Sequence, residues 1–147
     1  MNKKEFSLEI GAMPDGRQGK TITATFSDLA DQTNGSVLVK CGETSIFATA
    51  CMGKSPKKDA NWFPLVVDYE ERFYAAGKIL GGQFMRREGR PSEEAILTCR
   101  VIDRTLRPLF DQRIRNDIQV IVMALSIDEE NDPDILGLIA ASCALHI

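Results

Sequence analysis

Residues 91–108, PSEEAILTCRVIDRTLRP, carry both ends of a helix within themselves. Pro91 and Ser92 open it, and Glu93 and Glu94 fall in a first turn where the helix dipole favours negative charge. Pro108 closes it, because a proline cannot continue the hydrogen-bond ladder. At about 100° per residue, Arg100, Arg104 and Arg107 share an arc of roughly 60°. Leu97, Cys99, Val101, Ile102 and Leu106 are expected on the opposite side. The segment is therefore expected to pack one face and to present arginines on the other.

Upstream of this helix the pattern is β. Phe6–Ile10, Thr21–Phe26, Ser36–Cys41 and Thr44–Cys51 are short β-prone stretches, with Asn34-Gly35 and Cys41-Gly42-Glu43 as turn signals, which outlines an antiparallel meander. Residues 53–61, GKSPKKDAN, read as a polar loop. WFPLVVDYEE then returns to a strand that places Leu65, Val66 and Val67 in a core. Residues 75–90, AAGKILGGQFMRREGR, hold closely spaced glycines and no clear period, so they are expected to form a long mobile loop with a functional role. Downstream, IQVIVMALSID is a near-continuous apolar run, expected as a central strand covered on both faces. Asp132-Pro133-Asp134 caps a last helix, ILGLIAASCALHI, whose small residues suit burial against a sheet. Because that helix ends on Leu-His-Ile without a capping signal, a chain shortened at its C-terminus is expected.

A chain of 147 residues, 44% of them apolar, supports one core. Cys41, Cys51, Cys99 and Cys143 have no CxxC spacing and apolar neighbours, which points to buried thiols in a reducing compartment and a cytoplasmic protein. No apolar run approaches the roughly 18 residues of a membrane span. The net charge of −3 argues against indiscriminate nucleic-acid binding. Its distribution is uneven. Between Lys78 and Arg115 stand nine basic residues against five acidic ones, and all but one of the nine are arginine. A local arginine patch on an acidic body suits a bound polyanion, since the planar guanidinium fork matches phosphate.

Within that patch, FMRREGR (84–90) sets Phe84 and Met85 beside Arg86, Arg87 and Arg90, an aromatic next to guanidinium groups on which bases can stack. Together with Arg100, Arg104 and Arg107 these side chains could follow the phosphates of single-stranded RNA. The bland alternatives are a loop pinned to the core by Phe84 and Met85, and a solvated helix face whose arginines pair with Glu93, Glu94 and Asp103. Asp68, Glu70 and Glu71 have no neighbouring histidine or further carboxylate, and surface charge at a strand end is the better account. The glycines at 77, 81 and 82 form no dinucleotide or Walker sequence, and a lone His146 makes a histidine-based catalytic pair improbable.

The order FPLVVDYEERFYAAGKI, FMRREGRPSE, IDRTLRPLF and NDPDILGLIAASCAL resembles the first RNase PH-type half of the bacterial polynucleotide phosphorylases, over essentially the whole chain. The resemblance implies an α+β fold of RNase PH type (ribosomal protein S5 domain 2-like), a β-sheet with helices packed on it, here as one domain over 1–147 that is incomplete at its C-terminus. It implies a phosphate-dependent 3′-to-5′ exoribonuclease that releases nucleoside diphosphates, uses Mg²⁺ and inorganic phosphate, encloses single-stranded RNA in a homotrimeric ring and can join RNA-degradation machinery. In that family an aromatic-aromatic-Arg-Arg loop constricts the channel, matching Phe84, Met85, Arg86 and Arg87, and the arginines of the next helix match Arg100, Arg104 and Arg107.

This chain departs from the pattern in two ways. Met85 replaces the second aromatic, in a loop one residue longer than usual, so stacking rests on Phe84 or on neither. The active half of the family presents a serine pair at the N-terminus of the helix equivalent to the last one here, where backbone amides receive phosphate. Pro133-Asp134 stands there instead, and an aspartate repels phosphate. With the catalytic aspartate in the other half, this chain is expected to bind RNA without catalysing its cleavage, and no metal ligands are identified in it. A non-catalytic RNA-binding ring subunit of an exosome-like complex is the rival expectation. A domain whose arginines only make surface salt bridges is a third.

Overall fold

The computed structural model describes residues 4–11, 19–57, 61–79, 84 and 89–147. In chain order these form β1 (Lys4–Ile10), β2 (Lys20–Phe26), β3 (Gly35–Cys41), β4 (Thr44–Pro56), β5 (Leu65–Glu71), α1 (Glu93–Leu106), β6 (Asn116–Ser126) and α2 (Pro133–Leu145). Strands β1 to β4 make the antiparallel meander that their alternating residues predict. β6 then enters between β4 and β5, antiparallel to the first and parallel to the second, so the sheet order is β1-β2-β3-β4-β6-β5. Two parallel neighbours cannot be joined by a hairpin, and α1 lies on the crossover that joins β5 to β6.

Both helices cover the same sheet face. Val37, Val39, Ile46, Ala48, Val120, Val122, Leu65, Val67 and Tyr69 point to that side and are buried, and Ile102 and Leu106 of α1 and Leu136, Ala140, Ala141 and Ala144 of α2 pack on them. The alanines let α2 sit close to the strands. A Cβ added at Gly137 would lie 3.3 Å from Cε2 of Tyr69 and 3.5 Å from Cγ1 of Val122.

Four expectations are corrected by this architecture. Val66 alternates away from Leu65 and Val67 and is 50% exposed, so it is not part of the core. β6 is covered by the helices on one face only: Ile118, Val120, Val122 and Ala124 are buried, while Gln119 and Leu125 are exposed. Its unbroken apolar run reflects apolar residues on both sides of a strand that the described residues cover on one. Residues 53–56 extend β4 as far as the Pro56–Asn116 pairing, across an irregular register, instead of starting a loop. Asn34-Gly35 is not the tip of a hairpin. Gly35 opens β3, and the Asn34 side chain accepts a hydrogen bond from the Met52 amide at 2.7 Å.

The Gly42 signal is realised. Cys41 pairs with Thr44 across a two-residue link in which Gly42 takes φ of 59°, a left-handed value that favours glycine. This hairpin holds the start of α2 through Asp128. The Asp128 carboxylate accepts from the amides of Glu43 (2.9 Å), Thr44 (3.2 Å), Glu130 (3.0 Å) and Asn131 (2.6 Å) and from the Asn131 side chain (2.7 Å). These hydrogen bonds, that of Asn131 first, hold the carboxyl well below the usual range. Because the folded value is depressed, the stabilisation is present above the unfolded pKa of about 3.9 and is lost as pH falls toward the folded one. Asp128→Asn is expected to be less stable than the wild type at neutral pH, with the gap closing in acid. Thermal unfolding of both proteins across that pH range checks it, and a gap independent of pH would refute it.

Candidate nucleic-acid interface

Helix α1 begins directly after its N-cap, Ser92. The Ser92 hydroxyl accepts from the Ala95 amide at 3.1 Å, and α1 runs from Glu93 to Leu106 before a 3₁₀ turn, Arg107–Leu109, that contains Pro108. Its buried stripe is Ala95, Thr98, Ile102 and Leu106. Leu97 and Val101, expected in the packed face, are 59% and 58% exposed. The reason is geometric: Leu97 stands about 140° from Ile102 and only about 20° from Arg104, so it shares the arginine side of the helix. The Cys99 thiol, half-buried at the margin of the packed stripe, donates to the Val67 carbonyl at 2.9 Å, and burial pushes its pKa up.

Arg100 and Arg104 are exposed, as the spacing predicts, and so is Arg90 just before the helix. None of the three makes an ion pair among the described residues. Arg107 does not join them. Its guanidinium pairs with both oxygens of Asp103, at 2.6 and 3.0 Å, and donates to the carbonyls of Leu65 (3.1 Å) and Phe63 (3.3 Å). It also stacks over the Phe63 ring, 5.8 Å from the centroid. With its donors committed to the start of β5, Arg107 ties helix to sheet. The expected i,i+4 pairing with Asp103 is thus realised at this one arginine. Phe84 is 92% exposed and does not pin its loop to the core, whereas Met85, Arg86 and Arg87 lie outside the described residues.

The N-terminus of α2 has the opposite character. Asp132 caps it, accepting from the Asp134 amide at 3.0 Å, so a carboxylate already takes up an amide that a phosphate would need. Asp134 has its pKa raised, first by burial and further by Asp132 and Glu94, against the opposing effect of a Thr98 side-chain hydrogen bond. Glu71, at the end of β5, is raised by burial and by Asp134, Glu94 and Asp132. Like charges gathered at this end of the helix disfavour an anion there. Asp132 and Asp134 are neighbours in the sequence, whereas Glu71 and Glu94 share no spacing with them and come near only in the fold. Asp68 and Glu70 are surface charges, and Glu70 pairs with Arg72 at 2.8 Å. Among the described residues no three of His, Cys, Asp or Glu come together as metal ligands, so these residues do not fit a Mg²⁺ centre. Nor is any described helix long and apolar enough to cross a membrane.

Residues 18–147 match the family model described as 3′ exoribonuclease family, domain 1. The chain belongs to the 3′ exoribonuclease family. Its curated relatives in this family include a polyribonucleotide nucleotidyltransferase of Heliobacterium modesticaldum, 49% identical over 97% of this chain and 19% of the relative. Another of the same name, from Exiguobacterium sibiricum, is 50% identical over 99% of this chain and 18% of the relative. The chain thus spans about a fifth of the length of these relatives. Among solved structures, a chain of the Archaeoglobus fulgidus exosome with RNA bound to the active site aligns over 90% of this chain and 54% of its own, with TM-score 0.64 and 22% identity. Rice (Oryza sativa) Rrp46 aligns over 91% of this chain and 60% of its own, with TM-score 0.64 and 18% identity. At those identities the likeness is one of fold, and it is the RNase PH-type α+β fold.

Proposed function

We propose that this domain is the RNA-guiding core half of a polyribonucleotide nucleotidyltransferase, an enzyme that shortens RNA from its 3′ end by phosphorolysis and releases nucleoside diphosphates. The observation that carries this is identity of about 50% to relatives of that name over nearly the whole chain. The surface agrees with it. Arg90, Arg100 and Arg104 face solvent without competing carboxylate partners among the described residues, Phe84 is exposed, and the acidic start of α2 suits a half that does not bind the attacking phosphate. On this proposal inorganic phosphate is the co-substrate and Mg²⁺ supplies positive charge at the reacting phosphate, both at a site formed by residues other than those described here. A homotrimeric ring, contact with RNA-degradation machinery and action in the cytoplasm belong to the same proposal. The cysteines, free among the described residues, favour the last.

The test is phosphate-dependent release of nucleoside diphosphates from a single-stranded oligoribonucleotide with Mg²⁺, run on this chain with and without a catalytic RNase PH-type half. RNA binding by the chain alone, with release only when the other half is present, is the expected result. RNA binding with no release in either case would favour a non-catalytic ring subunit. Release by the chain alone would overturn the assignment of the α2 N-terminus.

A further inference from the structure

Four carboxylates from three elements lie within electrostatic reach of one another, without converging as ligands, where β5 ends and both helices begin. Glu71 closes β5, Glu94 lies in the first turn of α1, Asp132 caps α2 and Asp134 lies in its first turn, and each of Glu71 and Asp134 feels the charge of the other acids. Acids at helix starts offset the dipole, which accounts for Glu94, Asp132 and Asp134 taken singly. It does not account for Glu71, nor for the group beneath them. Tyr69 is 3% exposed, its ring lies against the first turns of α2 at Gly137, and its hydroxyl has no hydrogen-bond partner. That hydroxyl sits in the field of Glu71, Asp134 and Asp132. A buried phenol without a partner, close to carboxylates that can only accept, has an oxygen that none of these acids can satisfy when ionised.

A group that answers both the acids and the phenol is cationic, donates in several directions and reaches inward. No three ligands converge here as a metal would need among the described residues. An ammonium is a compact, strongly hydrated point charge, whereas a guanidinium is planar, more weakly hydrated and carries five donors. We propose that this acidic mouth receives an arginine side chain from another polypeptide segment, its guanidinium set between Glu71 and Asp134 and donating one N–H to the Tyr69 hydroxyl. The site is separate from the arginine surface of α1, and RNA is repelled from it.

The experiment is a titration of the full chain with N-acetylarginine methylamide, followed through the backbone amide NMR signals of Asp132, Asp134, Ile135 and Glu94. Its lysine counterpart, methylguanidinium and KCl at matched ionic strength are the comparisons. Saturable shifts with the arginine compound are expected, about tenfold weaker in Glu71→Gln and in Asp134→Asn. Tyr69→Phe, which keeps the ring in place, is expected to weaken binding several-fold. Equal curves with KCl or with the lysine compound would reduce the site to charge screening and overturn the proposal. Unchanged affinity in both Glu71→Gln and Tyr69→Phe would do the same. Methylguanidinium binding as tightly as the arginine compound would overturn the assignment to a polypeptide arginine.

Discussion

The Arg100→Ala, Arg104→Ala double variant is expected to bind a single-stranded oligoribonucleotide at least tenfold more weakly than the wild type and to show a flatter salt dependence. Both guanidinium groups are exposed and make no ion pair among the described residues, so on the proposed function they offer their charge to phosphates. Two lost phosphate contacts on a single strand lower the slope of log affinity against log salt by about 1.4. Arg107→Ala is expected to behave differently although it belongs to the same arc. Its donors are spent on Asp103, Phe63 and Leu65, so the salt slope should stay while unfolding stability falls by about 1–2 kcal/mol, a figure kept low because the side chain is partly exposed. Fluorescence anisotropy across a salt series, beside thermal unfolding, separates the two cases. A double variant with unchanged affinity and slope would return Arg100 and Arg104 to a solvated face. Equal loss of slope in Arg107→Ala would show that its tie to β5 opens in the complex.

The largest expected effect on stability is at Gly35. Its φ is not in the left-handed region, so the glycine is required by space and not by backbone conformation. A Cβ there would overlap the carbonyl oxygen of Ala144 in the last turn of α2, and it would lie 3.6 Å from Cβ of Ile147. The obstacle is backbone. It cannot rotate away as a side chain would, so α2 must lift from β3 and from the core it covers. Gly35→Ala is therefore expected to cost about 3 kcal/mol, the upper end of the usual range for overpacking. Gly53→Ala is the control. Its Cβ would stand 3.5 Å or more from Asp117, an ordinary contact, and the change should stay within about 0.5 kcal/mol. Denaturant unfolding of the two variants decides it: similar midpoints would mean that α2 can shift at little cost.

Much of the fold was legible because its signals are local. Ser92 and Pro108 bound α1 within a residue or so of their places in the chain, Asp132 caps α2 as its position before Pro133 suggests, and the β-prone stretches at Ser36–Cys41 and Thr44–Cys51 lie within β3 and β4. The candidate site was legible in composition and only partly in detail. A helical wheel gives the angle between side chains but not the direction of the core, so Leu97 and Val101 were assigned to the wrong face. It also gives no partner, so Arg107 was grouped with two arginines whose surroundings it does not share. Asn34-Gly35 misled for a related reason, because a glycine needed for close approach looks the same in sequence as one needed for a turn.

By itself, then, the sequence determined the elements, their caps, the arginine-rich character of one segment and the family to which the chain belongs. These depend on neighbours a few residues apart or on a long run of matched residues. The tertiary structure alone decided that β6 runs between β4 and β5, that Arg107 holds the sheet while Arg100 and Arg104 face outward, and that Glu71, Glu94, Asp132 and Asp134 gather around a buried phenol. Those outcomes arise from contacts between residues tens of positions apart, and packing chooses such contacts only when the crossover through α1 has brought the strand ends and helix starts to one edge of the sheet.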